Sequence, residues 1–221
     1  MKPSKLSSDQ LRDISQITIA DYNSHAIQFM EGTRDHDVTQ NQTALLQNIG
    51  TAKPWHLLDI GCGPGRDLKS FSDMGHQVVG LDGSAEFCTL AREQSGCDVW
   101  QQDFLDLTLP DNNFDGIFAN ASLFHIPTQE LARVLSELFN AMKMGGALLS
   151  SNPHGANKEG WQRQRYAAFH TPQQWQDHMQ SAGFELIETY YRPAHLPLEQ
   201  RPWLVTVWRK PHRGANESGN N

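Results

Sequence analysis

The sequence predicts an α/β protein with a mostly parallel β-sheet covered by helices on both faces. From about residue 56, short apolar runs alternate with longer helix-forming stretches, which is the pattern of such a sheet. The first apolar run leads directly into Gly61, Gly63 and Gly65, and the second ends in Asp82. A glycine-rich turn between a strand and a helix lets the backbone approach a bound ligand closely. The same segment therefore predicts both the fold class and the place of its binding site.

The elements follow in order along the chain. We predict strands at 56–60, 77–81, 98–101, 114–119 and 146–151, with helices near 65–74, 84–95 and 128–143 between them. Met144-Gly145-Gly146 is expected to end the last of these helices as a glycine C-cap. A further helix near 171–182 begins at Thr171, has Pro172 at its first position, and ends before Gly183.

Two antiparallel strands are predicted to close the sheet, near 184–191 and 203–209. The connection from Arg192 to Pro202 contains three prolines and is too short for a crossover helix. The sheet then has seven strands, of which the last is antiparallel. Residues 211–221 are polar and are predicted to be a disordered tail.

Residues 1–54 precede this alternation and are predicted to be helical. Residues 11–30 indicate one amphipathic helix and residues 38–49 indicate a second, with a polar, irregular stretch between them. The loop that follows the strand at 146–151 is predicted to be long and irregular, and it runs to about residue 166.

Composition restricts the classes of function. A length of 221 residues suits one compact domain. The net charge of −7, without any run of Lys or Arg, disfavours a nucleic-acid partner. Cys62, Cys88 and Cys97 lack the spacing of a metal site or a disulfide framework, so no metal is expected. Neither a signal peptide nor a membrane span is apparent, and we expect a cytoplasmic monomer or homodimer.

The glycine turn also distinguishes between cofactors. A dinucleotide fingerprint needs a glycine where this chain has Arg66, and a P-loop needs a Lys followed by Ser or Thr. Asp59, just before the turn, would repel a pyrophosphate and suits a cationic or zwitterionic ligand.

The motif Asp59-x-Gly61-x-Gly63-x-Gly65, with Asp82 17 residues after Gly65, resembles the first two motifs of the class I S-adenosylmethionine-dependent methyltransferases. The resemblance covers roughly residues 55–151 with specific motifs and the flanks only loosely. It implies a Rossmann-like methyltransferase domain over residues 55–210, with residues 1–54 folded over the cofactor as a helical lid. It also implies S-adenosylmethionine as the cofactor and S-adenosylhomocysteine as its product.

The same resemblance implies a set of cofactor contacts. The glycine turn would cradle the methionine portion, Asp82 would bind both ribose hydroxyls, and Asp103 with Phe104 would bind the adenine. The full set is Asp59, Gly61, Cys62, Gly63, Gly65, Arg66, Asp82, Gly83, Ser84, Asp103, Phe104, Asn120 and Ala121. Two alternatives stay open at this point. Ser84 also suits the N-cap of the next helix, and Asp103 suits an ordinary surface loop.

The methyl acceptor is less well defined. His125 is a candidate general base, although it also suits a local structural hydrogen bond. Guanidinium groups bind acids and aromatic faces suit flat or cationic groups, so we expect a small polar metabolite with an acid group. The candidate acceptor-binding residues are Tyr22, Arg34, His36, His125, Asn152, His154, Trp161, Arg165 and Arg192. Methylation of N, O, S or C is not distinguished.

Other functions are possible on this fold. A nicotinamide-dependent oxidoreductase is disfavoured by Asp59 and Arg66. A peptide or protein methyltransferase would need an open groove, and an RNA-binding relative would need a basic surface. A non-catalytic cofactor-binding relative would usually have lost some of the motif acids or glycines, and all are present here.

Overall fold

A computed structural model describes residues 5–50 and 52–212. Its main sheet contains seven strands, and a separate hairpin contains two. The strands of the main sheet are β1 (His56–Ile60), β2 (Gln77–Asp82), β3 (Asp98–Gln101), β4 (Phe114–Asn120), β5 (Met142–Pro153), β8 (Glu185–Arg192) and β9 (Trp203–Arg209), and those of the hairpin are β6 (Lys158–Gln162) and β7 (Arg165–Phe169).

Seven helices accompany these strands in the described part of the chain. They are α1 (Ser8–Ser24), α2 (Ala26–Thr33), α3 (Thr39–Gln47), α4 (Arg66–Asp73), α5 (Ala85–Ser95), α6 (Thr128–Ala141) and α7 (Pro172–Ser181). No described helix combines the length and the apolar character that are needed to cross a bilayer. The described residues also contain no group of three His, Cys, Asp or Glu side chains that could hold a metal ion.

The strand order is β3-β2-β1-β4-β5-β9-β8. The first five strands are parallel to one another, while β9 pairs antiparallel with both β5 and β8. The predicted fold, a Rossmann-like, mostly parallel seven-stranded sheet with an antiparallel last strand, is confirmed. The order reverses between β1 and β4, and ligands of such sheets bind beyond the carboxyl ends of the strands at that point.

Alternate residues of the central strands fill two apolar cores. Leu58, Ile60 and Ile117 face the core that α6 and α7 cover, and all three are fully buried. Leu57 and Phe118 face the opposite core, which contains apolar side chains of α3, α4 and α5. Burial on both faces fixes the register of each strand, because a slip by one residue would exchange the two faces. The sheet therefore holds its carboxyl ends in a fixed position relative to one another.

The predicted glycine C-cap after α6 is wrong. The helix ends at Ala141, and Met142 is already extended and pairs with Phe114 of β4. Gly145 instead lies within β5 at a φ of 76°, where the pairing with β4 is irregular. Pairing between β4 and β5 thus begins before Gly145 and Gly146, and these glycines accommodate the extra residues of β5.

The predicted irregular loop to residue 166 is also wrong in part, because it contains the β6–β7 hairpin. The two strands pair from Lys158↔Phe169 to Gln162↔Arg165. The turn between them has Arg163 in the left-handed region, with a φ of 59°, where Asn or Gly is usual. The sequence therefore lacks the residues by which such a turn is normally recognised.

The N-terminal segment has two helices where one was predicted over residues 11–30, because the chain breaks at His25. The predicted helix at 38–49 corresponds to α3. Thr171 caps α7 through a capping box with Gln174, and Pro172 occupies its first turn, as predicted. Of the predicted disordered tail, residues 213–221 lie outside the described residues.

Candidate active site

A cavity of about 1160 Å³ lies at the carboxyl ends of β1, β2 and β4. Helices α1 and α2 and the connection between β8 and β9 contribute to its lining. Its volume exceeds that of a typical small-ligand pocket, about 300–1,000 Å³, so it has room for two molecules side by side.

The glycine turn forms part of the cavity wall. Gly63 has a φ of 53°, and a Cβ atom there would meet nothing closer than Phe29 Cε1 at 3.9 Å. This residue therefore leaves open space on the cavity side. Gly65 has a different role, because a Cβ there would lie 2.7 Å from Ala91 Cα of α5, and the residue is not part of the lining. Its absent side chain allows α4 and α5 to pack closely.

Asp59 is an incompletely satisfied buried carboxylate. The residue is 2% exposed, and its Oδ2 atom has no hydrogen-bond partner among the described residues. Burial, reinforced by the charges of Asp67 and Asp82, raises the pKa of Asp59 well above its ordinary value. Arg66 opposes this shift, but its guanidinium is already 2.8 Å from Asp67. Asp59 and Asp67 thus share one guanidinium, Asp82 adds a further acid nearby, and the region attracts a cation.

Asp82 connects the glycine turn to the next loop. Its Oδ2 accepts the Gly63 N–H at 3.0 Å, and its Oδ1 accepts the Ser84 N–H at 2.9 Å. Burial raises the pKa of Asp82 to about 6 despite these backbone donors. The carboxyl group lines the cavity and can accept hydroxyl hydrogens from a ligand.

Ser84 acts as the N-cap of α5, since its hydroxyl oxygen accepts the Phe87 N–H at 3.1 Å. The hydroxyl donates to Asn23 Oδ1 of α1 at 2.6 Å, and Ser84 does not line the cavity. Asp103 does line it, and its Oδ1 accepts the Leu105 N–H at 2.8 Å. The Ser15 hydroxyl of α1 donates to Asp103 Oδ2. Helix α1 is therefore attached to the loops that follow both β2 and β3.

The loop after β4 completes the side of the cavity nearest the switch point. Asn120 Oδ1 accepts a hydrogen bond from Asn41 Nδ2 at 2.9 Å, and Ala121 has a φ of 61°. His125 lies between two partners, with Nδ1 at 2.6 Å from the Tyr166 carbonyl oxygen and Nε2 at 2.8 Å from the Tyr22 hydroxyl. Burial lowers the pKa of His125 to about 4, so its imidazole is neutral at neutral pH.

The structure brings most of the predicted site residues together. Among the predicted cofactor residues, those that line the cavity are Gly61, Cys62, Gly63, Arg66, Asp82, Gly83, Asp103, Phe104, Asn120 and Ala121, and among the predicted acceptor residues they are Tyr22, His36, His125, Arg165 and Arg192.

The other four predicted acceptor residues lie elsewhere. Arg34 is exposed just after α2, and Trp161 is 44% exposed on the hairpin. Asn152 and His154 line a separate space of about 10 Å³, which is enough for one water molecule. Asn152 lies within β5 and His154 directly after it, and of the hairpin's predicted residues Arg165 lines the cavity while Trp161 does not.

Several lining residues were not predicted. Phe29 and Phe87 pack against Tyr22 with ring centroids 5.2–5.7 Å apart, and together they form an aromatic wall. In the sequence, Phe29 is an apolar position of the helix predicted over residues 11–30, and such a pattern does not distinguish a ligand contact from a core contact. His195 comes from the β8–β9 connection, whose path depends on tertiary structure.

These residues fit S-adenosylmethionine. Asp59 is not part of the cavity lining, whereas Asp67, Asp82 and Asp103 are, and these three carboxylates suit the ammonium and sulfonium groups of the cofactor. The open face of Gly63 suits close approach of its chain. Asp82 offers acceptors for the ribose hydroxyls. A pyrophosphate would meet the same carboxylates and be repelled.

Comparison with known proteins agrees with this assignment. Residues 57–146 match a family model that is described as a methyltransferase domain. The chain is 30% identical to sterol 24-C-methyltransferase erg6 of Aspergillus fumigatus over 55% of its own length and 34% of that protein's. It is 28% identical to trans-aconitate 2-methyltransferase of Rhodopseudomonas palustris, over 66% of this chain and 56% of that protein.

A solved structure resembles nearly the whole chain. It is the 1,6-didemethyltoxoflavin-N1-methyltransferase of Burkholderia thailandensis, with 1,6-didemethyltoxoflavin and S-adenosylhomocysteine bound. The TM-score is 0.76, with 20% sequence identity over 95% of this chain and 93% of that one. Residues 57–146 of this chain therefore match a methyltransferase domain, and the sheet order and the motif acids agree with that match.

Proposed function

We propose that this protein transfers the methyl group of S-adenosylmethionine to a small polar metabolite that carries an acid group. The observation that carries the proposal is the division of one cavity into two chemically different ends. Asp82 ends β2 and Asp103 follows β3 at one edge of the sheet, whereas Arg192 ends β8 and His195 follows it at the other edge. The acidic end suits the cationic cofactor, and the basic end suits an acidic acceptor.

The bound cofactor supplies a methyl group activated by a positively charged sulfur, so the protein mainly has to align the acceptor and exclude water. Helices α1 and α2 serve the second purpose as part of a lid, which comprises the described residues of the segment 1–54. Ser15 and Asn23 of α1 attach that lid to the loops after β3 and β2.

Arg192 is our candidate for binding the acid group. One of its amino groups donates to the Asp37 carbonyl oxygen, and within the described residues no carboxylate lies at ion-pair distance from its guanidinium. Arg165, in contrast, is 2.6 Å from the Asp21 carboxylate. The Asp37 carboxylate interacts with the charge of Arg192 from beyond ion-pair distance, so the guanidinium retains donors that match a carboxylate or phosphate.

The relatives support a small-molecule acceptor by their names, which refer to sterols, trans-aconitate and 1,6-didemethyltoxoflavin. Two alternatives remain as outcomes of the test, a peptide or protein methyltransferase and a non-catalytic cofactor-binding relative. The attachment of α1 across the cavity disfavours a peptide, which would need an open groove.

The test is incubation of the protein with methyl-labelled S-adenosylmethionine and the acidic small-molecule fraction of a cell extract, with the extract's proteins in a parallel reaction. We expect label in a small acidic product. Arg192→Ala should raise the KM for that acceptor by about tenfold or more, because a charged hydrogen bond is lost. Arg12→Ala, an exposed arginine of α1, is the matched control. Label in proteins alone, or in nothing, would contradict the proposal.

A further inference from the structure

We propose that Tyr22 and His125 form a dyad that accepts a hydrogen bond from the methyl acceptor, so that the methylated atom is a nitrogen that carries hydrogen. This inference rests on the proposed function and adds the nature of the nucleophile. It also assigns the acid group of the acceptor to recognition and not to methylation.

The tautomer of His125 follows from its two contacts. A backbone carbonyl oxygen can only accept, so the Nδ1 atom that lies 2.6 Å from the Tyr166 oxygen has to carry hydrogen. Burial keeps this imidazole neutral, and a neutral imidazole with hydrogen on Nδ1 has a lone pair on Nε2. The Tyr22 hydroxyl, 2.8 Å from Nε2, is therefore the donor of that hydrogen bond.

The direction of this hydrogen bond determines which hydrogen-bonding groups the Tyr22 hydroxyl offers to a ligand in the cavity. The single hydroxyl hydrogen is committed to His125, and burial raises the pKa of Tyr22, so the phenol stays protonated. The Arg165 side chain also donates to this oxygen, so the phenol offers a ligand only the lone pairs that Arg165 leaves free. A carboxylate nucleophile would meet them with lone pairs of its own, whereas an N–H or O–H group would donate to them.

The charges around Tyr22 and His125 favour a nitrogen nucleophile over an oxygen nucleophile. The Arg165 guanidinium lies 3.9 Å from the centroid of the Tyr22 ring, and the carboxylates of Asp21 and Asp82 also act on the phenol. Arg165 and burial both disfavour a second proton on His125. An alcohol has to lose its proton to become reactive, and an imidazole with a pKa of about 4 is a poor base for that purpose.

A neutral amine needs only orientation, because it already has the lone pair that forms the new bond. That lone pair forms the C–N bond, and the electrons of the broken C–S bond stay on sulfur. The nitrogen keeps its hydrogens and becomes a methylammonium, which releases one proton to solvent after it leaves the site. Tyr22 and His125 take up no proton from the acceptor, which agrees with the low basicity of His125.

The first test uses the labelled product of the reaction with the acidic fraction of a cell extract. Methyl esters release volatile methanol in mild alkali, whereas N-methyl groups do not, and mass spectrometry separates N-methyl from O-methyl products. We expect label that stays non-volatile and resides on nitrogen. Volatile label or an O-methyl ether would overturn the inference but leave the proposed function intact. Absence of any labelled product would overturn both.

The second test uses two His125 variants. It distinguishes a role of the Tyr22–His125 hydrogen bond in methyl transfer from a purely structural role of His125. Glutamine can place an oxygen near the position of Nε2 and accept from Tyr22, while asparagine can keep only the donor to Tyr166. We expect kcat/KM to fall about tenfold or more in Tyr22→Phe and His125→Asn, and His125→Gln to recover part of the loss. Tyr191→Phe, a tyrosine outside the cavity lining, is the control. Equal losses in both His125 variants would overturn the dyad.

A third measurement needs no acceptor. Nitrogen-15 NMR of labelled histidine in the S-adenosylhomocysteine complex should show His125 neutral, with hydrogen on Nδ1, from about pH 5.5 to 8. Tyr22→Phe should shift the Nε2 resonance without changing the tautomer. A tautomer with hydrogen on Nε2, or protonation near neutral pH, would contradict the inference even if methyl transfer is observed.

Discussion

At the scale of single residues, the site depends on carboxylates that are kept away from bulk water. Asp59 lacks a partner for one oxygen, and Asp82 accepts two backbone N–H groups and still has a pKa of about 6. Buried negative charge of this kind is unfavourable in the free protein. A cationic ligand with hydroxyl groups compensates it, and this is why these acids indicate a binding site.

We expect Asp82→Asn to weaken S-adenosylhomocysteine binding about tenfold or more. The amide keeps the shape of the side chain, but the charge-assisted hydrogen bonds to the ribose, each worth about 1.5–3 kcal/mol, are weakened. Calorimetric titration measures the effect, and Asp111→Asn in an exposed loop is the control. An affinity equal to that of the parent protein would show that the ribose is placed incorrectly.

The raised pKa of Asp82 also predicts a pH dependence. As the pH falls through about 6, the carboxyl group takes up a proton in the free protein and loses its charge. If the ionised form binds, affinity for S-adenosylhomocysteine should be constant above about pH 7 and about tenfold lower at about pH 5. Asp82→Asn should flatten this profile. A parent profile that is flat down to about pH 5 would contradict the role of this carboxyl group.

At the scale of elements, helix α1 lines the cavity and contacts two separate loops, those that follow β2 and β3. Asn23 Oδ1 accepts from the Ser84 hydroxyl and the Glu86 N–H, and Ser15 donates to Asp103. Ile19 lies so close to Gly83 that a Cβ atom there would be 2.8 Å from Ile19 Cδ1. The helix thus contacts the same loops that the cofactor is expected to contact.

Loss of the Asn23 contact should therefore loosen the lid. We expect Asn23→Ala to speed hydrogen exchange in residues 8–24 and to weaken S-adenosylhomocysteine binding several-fold, because one to two hydrogen bonds are lost. Asn140→Ala on the exposed surface of α6 should change neither quantity. Unchanged exchange in α1 of Asn23→Ala would mean that other contacts hold the lid.

The hairpin supports the dyad through α1 and Tyr166. The buried Tyr166 N–H donates to the Thr18 hydroxyl oxygen at 3.0 Å, while the Tyr166 carbonyl oxygen accepts from His125. Thr18→Val conserves shape but leaves that N–H unsatisfied, which should lower the free energy of unfolding by about 1–3 kcal/mol. Urea denaturation measures this loss. Thr89→Val, on an exposed part of α5, should cost much less, and equal losses would contradict the importance of the Thr18 contact.

At the scale of the whole molecule, the features that could be predicted from the sequence are those that hydrophobic periodicity and the parallel pairing of strands determine. Asp59, Asp82 and Asn120 lie near the ends of different strands, and they converge because the carboxyl ends of parallel strands meet at one edge. The hairpin was missed because Arg163 replaces the usual turn residues. The packing role of Gly65 depends on Ala91 of another helix, and such a long-range contact leaves no local signal.

The acceptor side was predicted less completely for the same reason. Arg165 and Arg192 line the cavity, whereas Asn152, near the end of β5, and His154, directly after it, line a separate small space. Which side of a folded loop faces the ligand depends on tertiary packing. Residue type alone identifies the candidates and does not select among them.

The most direct test of the central claim is calorimetric titration of the purified protein with S-adenosylmethionine, S-adenosylhomocysteine and NADH in parallel. The acid-rich cavity predicts micromolar binding of the first two and no binding of NADH, whose pyrophosphate the carboxylates would repel. Binding of NADH alone would contradict the assignment of the cofactor and, with it, the proposed methyl transfer.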